Sequence, residues 1–354
     1  MKTSAKILIV IFCYTFLSAQ EIIPSGTREQ NLQQRWSDAI KTQKNSPSEY
    51  LIIYTFERMM PENSYIGHFN SEWEGRKKLG EYLYPELPVN YLETLKGKDS
   101  HSDKNVMKEL AMIFIMKSET VIDVDMSTID VHYDLANRNV IWLGHSNETE
   151  SINLVQQLYG QTDSDDLKKD FITAAGLHKS APESYTFLKQ IIENNNSSEL
   201  REDAVFWIAE LDNPKALPFL KGIALNDKDE NVAEKAVFAL YNIKSDESTD
   251  TIIDLAKNAQ SHEVREKAIF WLGQLAGKKA ESTLSDIIFD ENETDLQEKA
   301  VFALSQLDKG QGIEKLIKVA KEHPNPKVRK KAIFWLGESG DDRALEALID
   351  MVKR

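Results

Sequence analysis

Glu266-Lys-Ala-Ile-Phe-Trp-Leu272 has four near-copies in the chain: Glu202-Asp-Ala-Val-Phe-Trp-Ile208, Glu234-Lys-Ala-Val-Phe-Ala-Leu240, Glu298-Lys-Ala-Val-Phe-Ala-Leu304 and Lys330-Lys-Ala-Ile-Phe-Trp-Leu336. Their alanines, Ala204, Ala236, Ala268, Ala300 and Ala332, are spaced by 32 residues without an insertion. A fixed period in this range marks a solenoid, in which each repeat buries its apolar face by stacking on its neighbours.

Upstream of each copy lies a second apolar stripe of helical period. Ile152, Val155, Leu158 and Tyr159 are matched by Tyr185, Leu188, Ile191 and Ile192 in the next repeat, and the series runs on to Leu345, Leu348, Met351 and Val352. We term this stripe helix A and the quoted stretch helix B. A degenerate helix B occupies Leu167 to Leu177. Breakers fall between them at Asp212-Asn213-Pro214, Gly277, Lys309-Gly310 and Pro324-Asn325-Pro326. The pattern predicts 13 helices over 148–353, an all-α solenoid of 32-residue antiparallel helix pairs occupying 148–354. Asp341 to Arg354 is expected to cover the last helix B, with Leu345, Leu348 and Met351 inward and Asp341, Asp342, Arg343, Glu346 and Lys353 toward solvent.

On a wheel of 100° per residue with Leu200 at zero, Leu211, Ala204, Trp207 and Ile208 fall between about −20° and 80°, toward helix A. The small alanines suit a close helix crossing. One position alternates large and small, Trp207, Ala239, Trp271, Ala303 and Trp335, and another runs Arg201, Ala233, Arg265, Gln297 and Arg329. The finer repeat is therefore 64 residues. Since core packing density is nearly fixed, each Trp is expected to lean toward the alanine site of an adjacent repeat.

Helix A, a turn, then Val-Arg-x-x-Ala and an apolar helix resembles a HEAT repeat of the short bacterial type also found in phycobilin-lyase-like proteins. Val264-Arg265-Glu-Lys-Ala268 and Val328-Arg329-Lys-Lys-Ala332 carry the likeness, with Leu200-Arg201-Glu-Asp-Ala204 close behind. It covers 198–354 strongly and 148–197 weakly, and it is nearest to exported bacterial HEAT-repeat proteins. The resemblance implies a protein-binding scaffold with its B helices on the inner curve.

Residues 20–147 read as a small α+β domain of antiparallel strands. Thr27 to Lys44 is expected to be a helix; Glu49 to Met60, Tyr65 to Phe69, Val106 to Met116, Val121 to Met126 and Ile129 to Leu135 are expected to be strands. Ala136-Asn137-Arg138-Asn139 reads as a turn, and Val140 to Leu143 as the strand that closes a hairpin. Residues 1–19 look like a secretory signal: Lys2 and Lys6 precede the apolar run Ile7 to Leu17, and Leu17-Ser18-Ala19 suits cleavage. Cys13 is the only cysteine and would leave with it, so the mature protein is expected to be periplasmic or extracellular, without disulfides and without membrane insertion.

The formal charge of −14 argues against nucleic acid, which requires a basic stripe. The histidines, His68, His101, His132, His145, His178, His262 and His323, show no metal-ligand spacing. Asp123, Asp125, Ser127, Asp130 and Asp134 faintly resemble a calcium loop, but Thr128 stands where its glycine is needed and strand alternation explains the same residues. No cofactor and no catalytic set is expected.

What remains is a surface. Phe206, Phe238, Phe270, Phe302 and Phe334 never vary between repeats, and on the wheel Phe206 sits at about 240°, nearly opposite helix A. Glu202, Glu266, Gln274, Gln306 and Glu338, together with Glu210, Glu234 and Glu298, would border this row. An aromatic stripe in a polar rim is the composition of a protein or peptide groove. The bland reading is that each ring seals the seam between adjacent B helices. Two other functions are open: an enzyme with its chemistry in the N-terminal domain, which a perturbed carboxylate pair in a pocket would support, or a lyase-like small-molecule or chromophore handler.

Overall fold

The computed structural model describes residues 22–27, 29–44, 46, 48–67, 77–86, 104–275, 277–307 and 310–353. The signal-like segment lies outside them, as do His68 and Phe69 of the expected strand at Tyr65 to Phe69; Tyr65, Ile66 and Gly67 are not in a strand. The chain forms two units, Met1–Ser151 and Ile152–Arg354.

The β-branched and aromatic run at the start of the first unit becomes the middle of a five-stranded sheet. Its strands are β1 (Ile22–Pro24), β2 (Tyr50–Pro61), β3 (Asn105–Lys117), β4 (Thr120–Thr128) and β5 (Asn139–His145), in the order β1-β5-β2-β3-β4. Alternation along β2 and β3 feeds two cores. Leu51, Ile53, Ala111, Ile113 and Val140 face one side and meet the short helix α2 (Leu79–Leu83). Phe114 faces the other side, edge-on to Trp36 of α1 (Leu32–Gln43) at 4.8 Å between centroids.

The sheet is mixed, which corrects the all-antiparallel expectation. β2–β3 and β3–β4 are antiparallel, but β5 lies parallel to both β1 and β2. Residues 129–135 do not form a strand. Ile129, Tyr133 and Leu135 do point into the core, which is what the alternation reports. Their backbone, however, bonds to residues 77–80: Leu79 N–H to the Val131 carbonyl, Gly80 N–H to that of Ile129, and Tyr133 N–H to that of Lys77. Ala136 and Asn137, both left-handed at φ 52° and 56°, turn the chain before it inserts as β5 between β1 and β2. Val140–Leu143 is thus a strand, but it closes no hairpin.

Among the described residues thirteen helices run from Glu148 to Val352. The A helices are α3 (Glu148–Gln161), α5 (Pro182–Asn194), α7 (Ala216–Asn226), α9 (Asp246–Asn258), α11 (Lys278–Asp290), α13 (Ile313–Glu322) and α15 (Asp342–Val352). The B helices are α4 (Asp165–Leu177), α6 (Ser198–Ala209), α8 (Glu230–Ile243), α10 (His262–Gln274), α12 (Thr294–Ser305) and α14 (Pro326–Glu338). This is a HEAT-like α-solenoid. Ser164, Ser197, Asp229, Ser261 and Asn325 cap B helices by accepting a first-turn N–H, which satisfies donors the helix leaves orphaned. The repeated alanines are all at 0% exposure. B helices pack on one another along the whole row, whereas A helices meet their A neighbours only sparsely. The B layer is the more closely packed one.

Two side-chain placements depart from the wheel. Trp207, Trp271 and Trp335 are half-buried rather than part of the core under helix A. Each lies at the edge of the A-facing arc and leans onto the preceding B helix. Trp207 covers Gly176, where an added Cβ would clash with the indole. Trp271 meets Phe238 at a tilt (4.9 Å) and stacks on Tyr241 (4.5 Å), one residue before and two after Ala239, and Trp335 meets Phe302 at 5.1 Å, beside Ala303. The large-beside-small packing is therefore present, directed along the B layer. In α15 it is Ala344 and Ala347 that are buried, while Leu348 and Met351 are half-buried and Leu345 is 58% exposed. The helix is rotated so that Ala344 and Ala347 face inward in place of Leu345.

The Val-Arg-x-x-Ala arginine has a visible task. Arg201 Nε donates to the Ile192 carbonyl at the end of α5 (2.8 Å), and its guanidinium pairs with Asp227 just after α7. Arg265 repeats this with the Ala256 carbonyl and Glu291. Each arginine thus caps the A helix of its own repeat and ties it to the next. Gln297 substitutes with one bond, Nε2 to the Glu291 carbonyl at 2.7 Å.

Candidate functional site

The B helices carry their phenylalanines out of the alanine-lined crossing and onto the free side of the layer. None of the five rings is buried: Phe206, Phe238 and Phe302 are half-exposed, Phe270 is 39% and Phe334 53% exposed. They also touch across the seams. Phe206 and Phe238 stack at 6.2 Å, Phe238 meets Trp271, and Phe302 meets Trp335. Rings in this position both join neighbouring repeats and present one face to solvent.

Phe238, Phe270, Trp271 and Phe302 form the apolar floor of a groove of about 400 Å³ across α6, α8, α10 and α12. Its polar wall consists of Glu202, Asn231, Glu234, Lys235, Glu266, Lys267 and Lys299. Lys267 Nζ pairs with Glu234 at 2.9 Å, and Lys299 pairs with Glu266 in the same diagonal sense. Lys235 lies over the rings of Phe206 and Phe238, at 5.9 and 5.7 Å from their centroids. A smaller cleft of about 350 Å³ is lined by Glu298, Lys327, Lys330, Lys331 and Phe334.

Of the residues expected from sequence, Glu202, Glu266, Phe238, Phe270 and Phe302 come together in the groove, and Phe334 lines the smaller cleft. Phe206 joins the row by stacking on Phe238. Gln274, Gln306 and Glu338 are exposed but line neither space, because they sit at the far ends of their helices. Sequence reasoning missed the lysines. Their signal was present: a Glu-Lys pair repeated every 32 residues sets Lys267 beside Glu234 and Lys299 beside Glu266 of the preceding repeats.

Other titratable clusters were candidates for chemistry. Among the described residues one His/carboxylate group has metal-like proximity: His262, Glu293 and Asp295. The two ring nitrogens already face carboxylates, Glu293 at 2.9 Å and Asp295 at 2.8 Å, and Arg265 also pairs with Glu293. It is an ion-pair link between α10 and α12. His178 and His323 are buried, and each donates a ring N–H to a backbone carbonyl, His178 Nδ1 to Ala174 and His323 Nε2 to Ile288. In the first unit Glu109 accepts hydrogen bonds from Thr55 and Tyr84 and lies 3.7 Å from His145 Nδ1. Burial alone would raise the Glu109 carboxyl, but the bonds from His145, Thr55 and Tyr84 outweigh it and hold it below the usual range. This is a carboxylate with an imidazole partner, not the carboxylate pair that acid–base chemistry in this domain was expected to show. Asp123, Asp125 and Ser127 belong to β4, and Asp125 accepts from Tyr133 at 2.7 Å, whereas Asp130 and Asp134 lie beyond the strand's end, so strand alternation accounts for only the first three.

Comparison with known proteins places repeats of this kind in the chain. Residues 185–273 match the family described as HEAT repeats, and residues 328–354 match the PBS lyase HEAT-like repeat. Similar solved structures include the CpcE–CpcF complex of phycocyanin lyase from Nostoc, with 21% identity and TM-score 0.33, covering 55% of this chain and 79% of that one. The Escherichia coli protein YibA gives 21% identity and TM-score 0.34, covering 58% and 76%. Human deoxyhypusine hydroxylase gives 17% identity and TM-score 0.27, covering 57% and 77%. No curated protein matches the chain.

Proposed function

We propose that this chain is an exported scaffold that holds a protein or peptide partner along the B-helix groove. One observation carries the reading: a row of half-exposed phenylalanines, one per repeat, floors a groove walled by paired charges. Apolar rings kept on the wet side of a helix layer cost solubility, and a partner that buries them recovers their transfer free energy. The Glu–Lys wall provides the polar rim typical of such interfaces. Neither the groove nor the smaller cleft gathers a nucleophile beside a base, so binding is the chemistry this surface supports.

The test is selection of binding peptides from a displayed random library on the mature protein, followed by titration of the winners against Phe270→Ser/Phe302→Ser. The double variant is expected to lose at least tenfold in affinity while its melting midpoint falls by only a few degrees, since both rings are partly exposed. Unchanged affinity would overturn the groove. A large loss of stability with no selective loss of binding would make the rings a seam only. Export is tested separately by N-terminal sequencing of protein recovered from the cell envelope or medium; the expected first residue is Gln20.

A further inference from the structure

The residues just before each repeated alanine read Glu-Asp at 202–203, Glu-Lys at 234, 266 and 298, and Lys-Lys at 330–331. The row of repeats therefore carries two negative charges at α6, none net through α8, α10 and α12, and two positive charges at α14. The middle is largely closed internally: Lys267 is taken by Glu234, Lys299 by Glu266, and Lys235 sits over two rings, while Glu298 makes no ion pair among the described residues and lines the α14 cleft, offsetting one of its three lysines. The ends are not. Glu202 and Asp203 make no ion pair among the described residues, although Lys169 and Lys235 lie near enough to Asp203 to act on it, so Glu202 is the more open charge; Lys330, Lys331 and the adjacent Lys327 make no ion pair either. Lys327, Lys330 and Lys331 surround Phe334, the most exposed ring of the row.

Resting on the groove reading above, we propose that the ligand is an extended dipolar peptide: an apolar or aromatic centre over Phe238, Trp271 and Phe302, a basic end at α6, and an acidic end at α14. Charges already paired within the wall add little for a ligand, because a newcomer must displace a partner of equal sign. The unpaired ends carry the electrostatic selection, and they differ in sign. Helix layers space at ~10 Å, so the four steps from α6 to α14 span ~40 Å. At ~3.3 Å per residue an extended peptide of about 12 residues covers that span. A uniformly acidic ligand meets Glu202 and Asp203, and a uniformly basic one meets the three lysines; each is repelled at one end.

The experiment uses the full mature chain and three synthetic peptides of about 15 residues sharing one aromatic–aliphatic centre. One bears an arginine block at one end and an aspartate block at the other. The second has the same composition with its charges interleaved, and the third carries the centre with neutral ends. The dipolar peptide is expected to bind about tenfold more tightly than the interleaved one at low salt, with the gap closing at about 1 M salt, where screening acts within ~3 Å. A photocrosslinker at its aspartate end is expected to label residues 326–338. Lys330→Glu/Lys331→Glu should abolish the dipolar peptide's advantage over the interleaved one. Equal binding of dipolar and interleaved peptides, or an advantage that survives the double variant, overturns the polarity while leaving the groove standing. If none of the three binds, the groove reading falls and the polarity with it.

Discussion

Trp271 shows how one residue serves two surfaces. Its indole lies half-buried against Phe238 and Tyr241 of the preceding B helix and also floors the groove. A fully buried Trp truncated to Ala costs about 3–5 kcal/mol. With part of the ring already wet, Trp271→Ala is expected to cost about 2 kcal/mol in denaturant melts, the lost stacking included. Trp271→Phe should restore most of it. His262 is a second residue-scale case. Burial by itself would lower its pKa, but the hydrogen bond to Glu293 and the negative charges of Asp295, Glu293 and Glu263 outweigh that and raise it. A raised folded pKa means that the link stabilises the fold fully below the free imidazole pKa of about 6.5 and ceases to do so as pH rises through the folded value. Arg265, paired with Glu293, moderates the effect. Because the group is near the surface, the contribution is below about 1 kcal/mol and falls with salt. Comparison of wild type with His262→Gln across pH should show a gap on the acid side that closes on the alkaline side; a pH-independent gap would assign the loss to packing.

Between elements, spacing is set by small residues. Gly273 of α10 lies so close to α12 that an added Cβ would stand 2.8 Å from both the Cα and the carbonyl oxygen of Ala303. Those neighbours are backbone and cannot rotate away. Gly273→Ala is therefore expected to push α12 outward and cost about 1–3 kcal/mol by overpacking, despite the better helix propensity of alanine. The loss should appear in hydrogen exchange as faster opening of α10 and α12 ahead of the distant helices. Gly337, at the equivalent end of α14, has nothing within 4 Å of an added Cβ. Gly337→Ala is the matched control and should be neutral or stabilising. The arginine ties act at the same scale, and their alternation with Ala233 and Gln297 gives the 64-residue period a physical basis: two repeats share one strong tie, from Arg201 to Asp227 or from Arg265 to Glu291.

At the scale of the whole chain, the 32-residue recurrence made the solenoid legible because every repeat solves the same burial problem with the same residues. The sheet was less legible. Alternation at Ile129, Tyr133 and Leu135 reports which side chains are buried, and it did so correctly; it is silent about which backbone receives the hydrogen bonds. Partner choice is a long-range matter, and so β5 was recognised as a strand while its parallel neighbours were not. The groove was half legible. The phenylalanines stood out as invariant, whereas the lysine wall needed the registry of adjacent helices, which a single-helix wheel does not contain.

The same nearest-neighbour logic governs how the molecule should unfold. The second unit, Ile152–Arg354, has its own continuous core through Leu188, Leu220, Ile252, Leu284 and Leu316, all at 0% exposure, and its helices find their packing partners within the row. A fragment of residues 152–354 is therefore expected to fold alone, with a far-ultraviolet spectrum of nearly pure helix. The sheet signal of the full chain should be recovered by subtraction as the contribution of the first unit. Because a solenoid sums repeat and interface terms, a lesion need not unfold the whole row at once. Gly273→Ala placed in the fragment should lower the apparent denaturant slope, since the repeats on either side of α10 and α12 then melt at different concentrations. An unchanged slope with a shifted midpoint would show that the row unfolds as one cooperative block. Substantial sheet in the fragment would contradict the division into a helical unit and a sheet unit altogether.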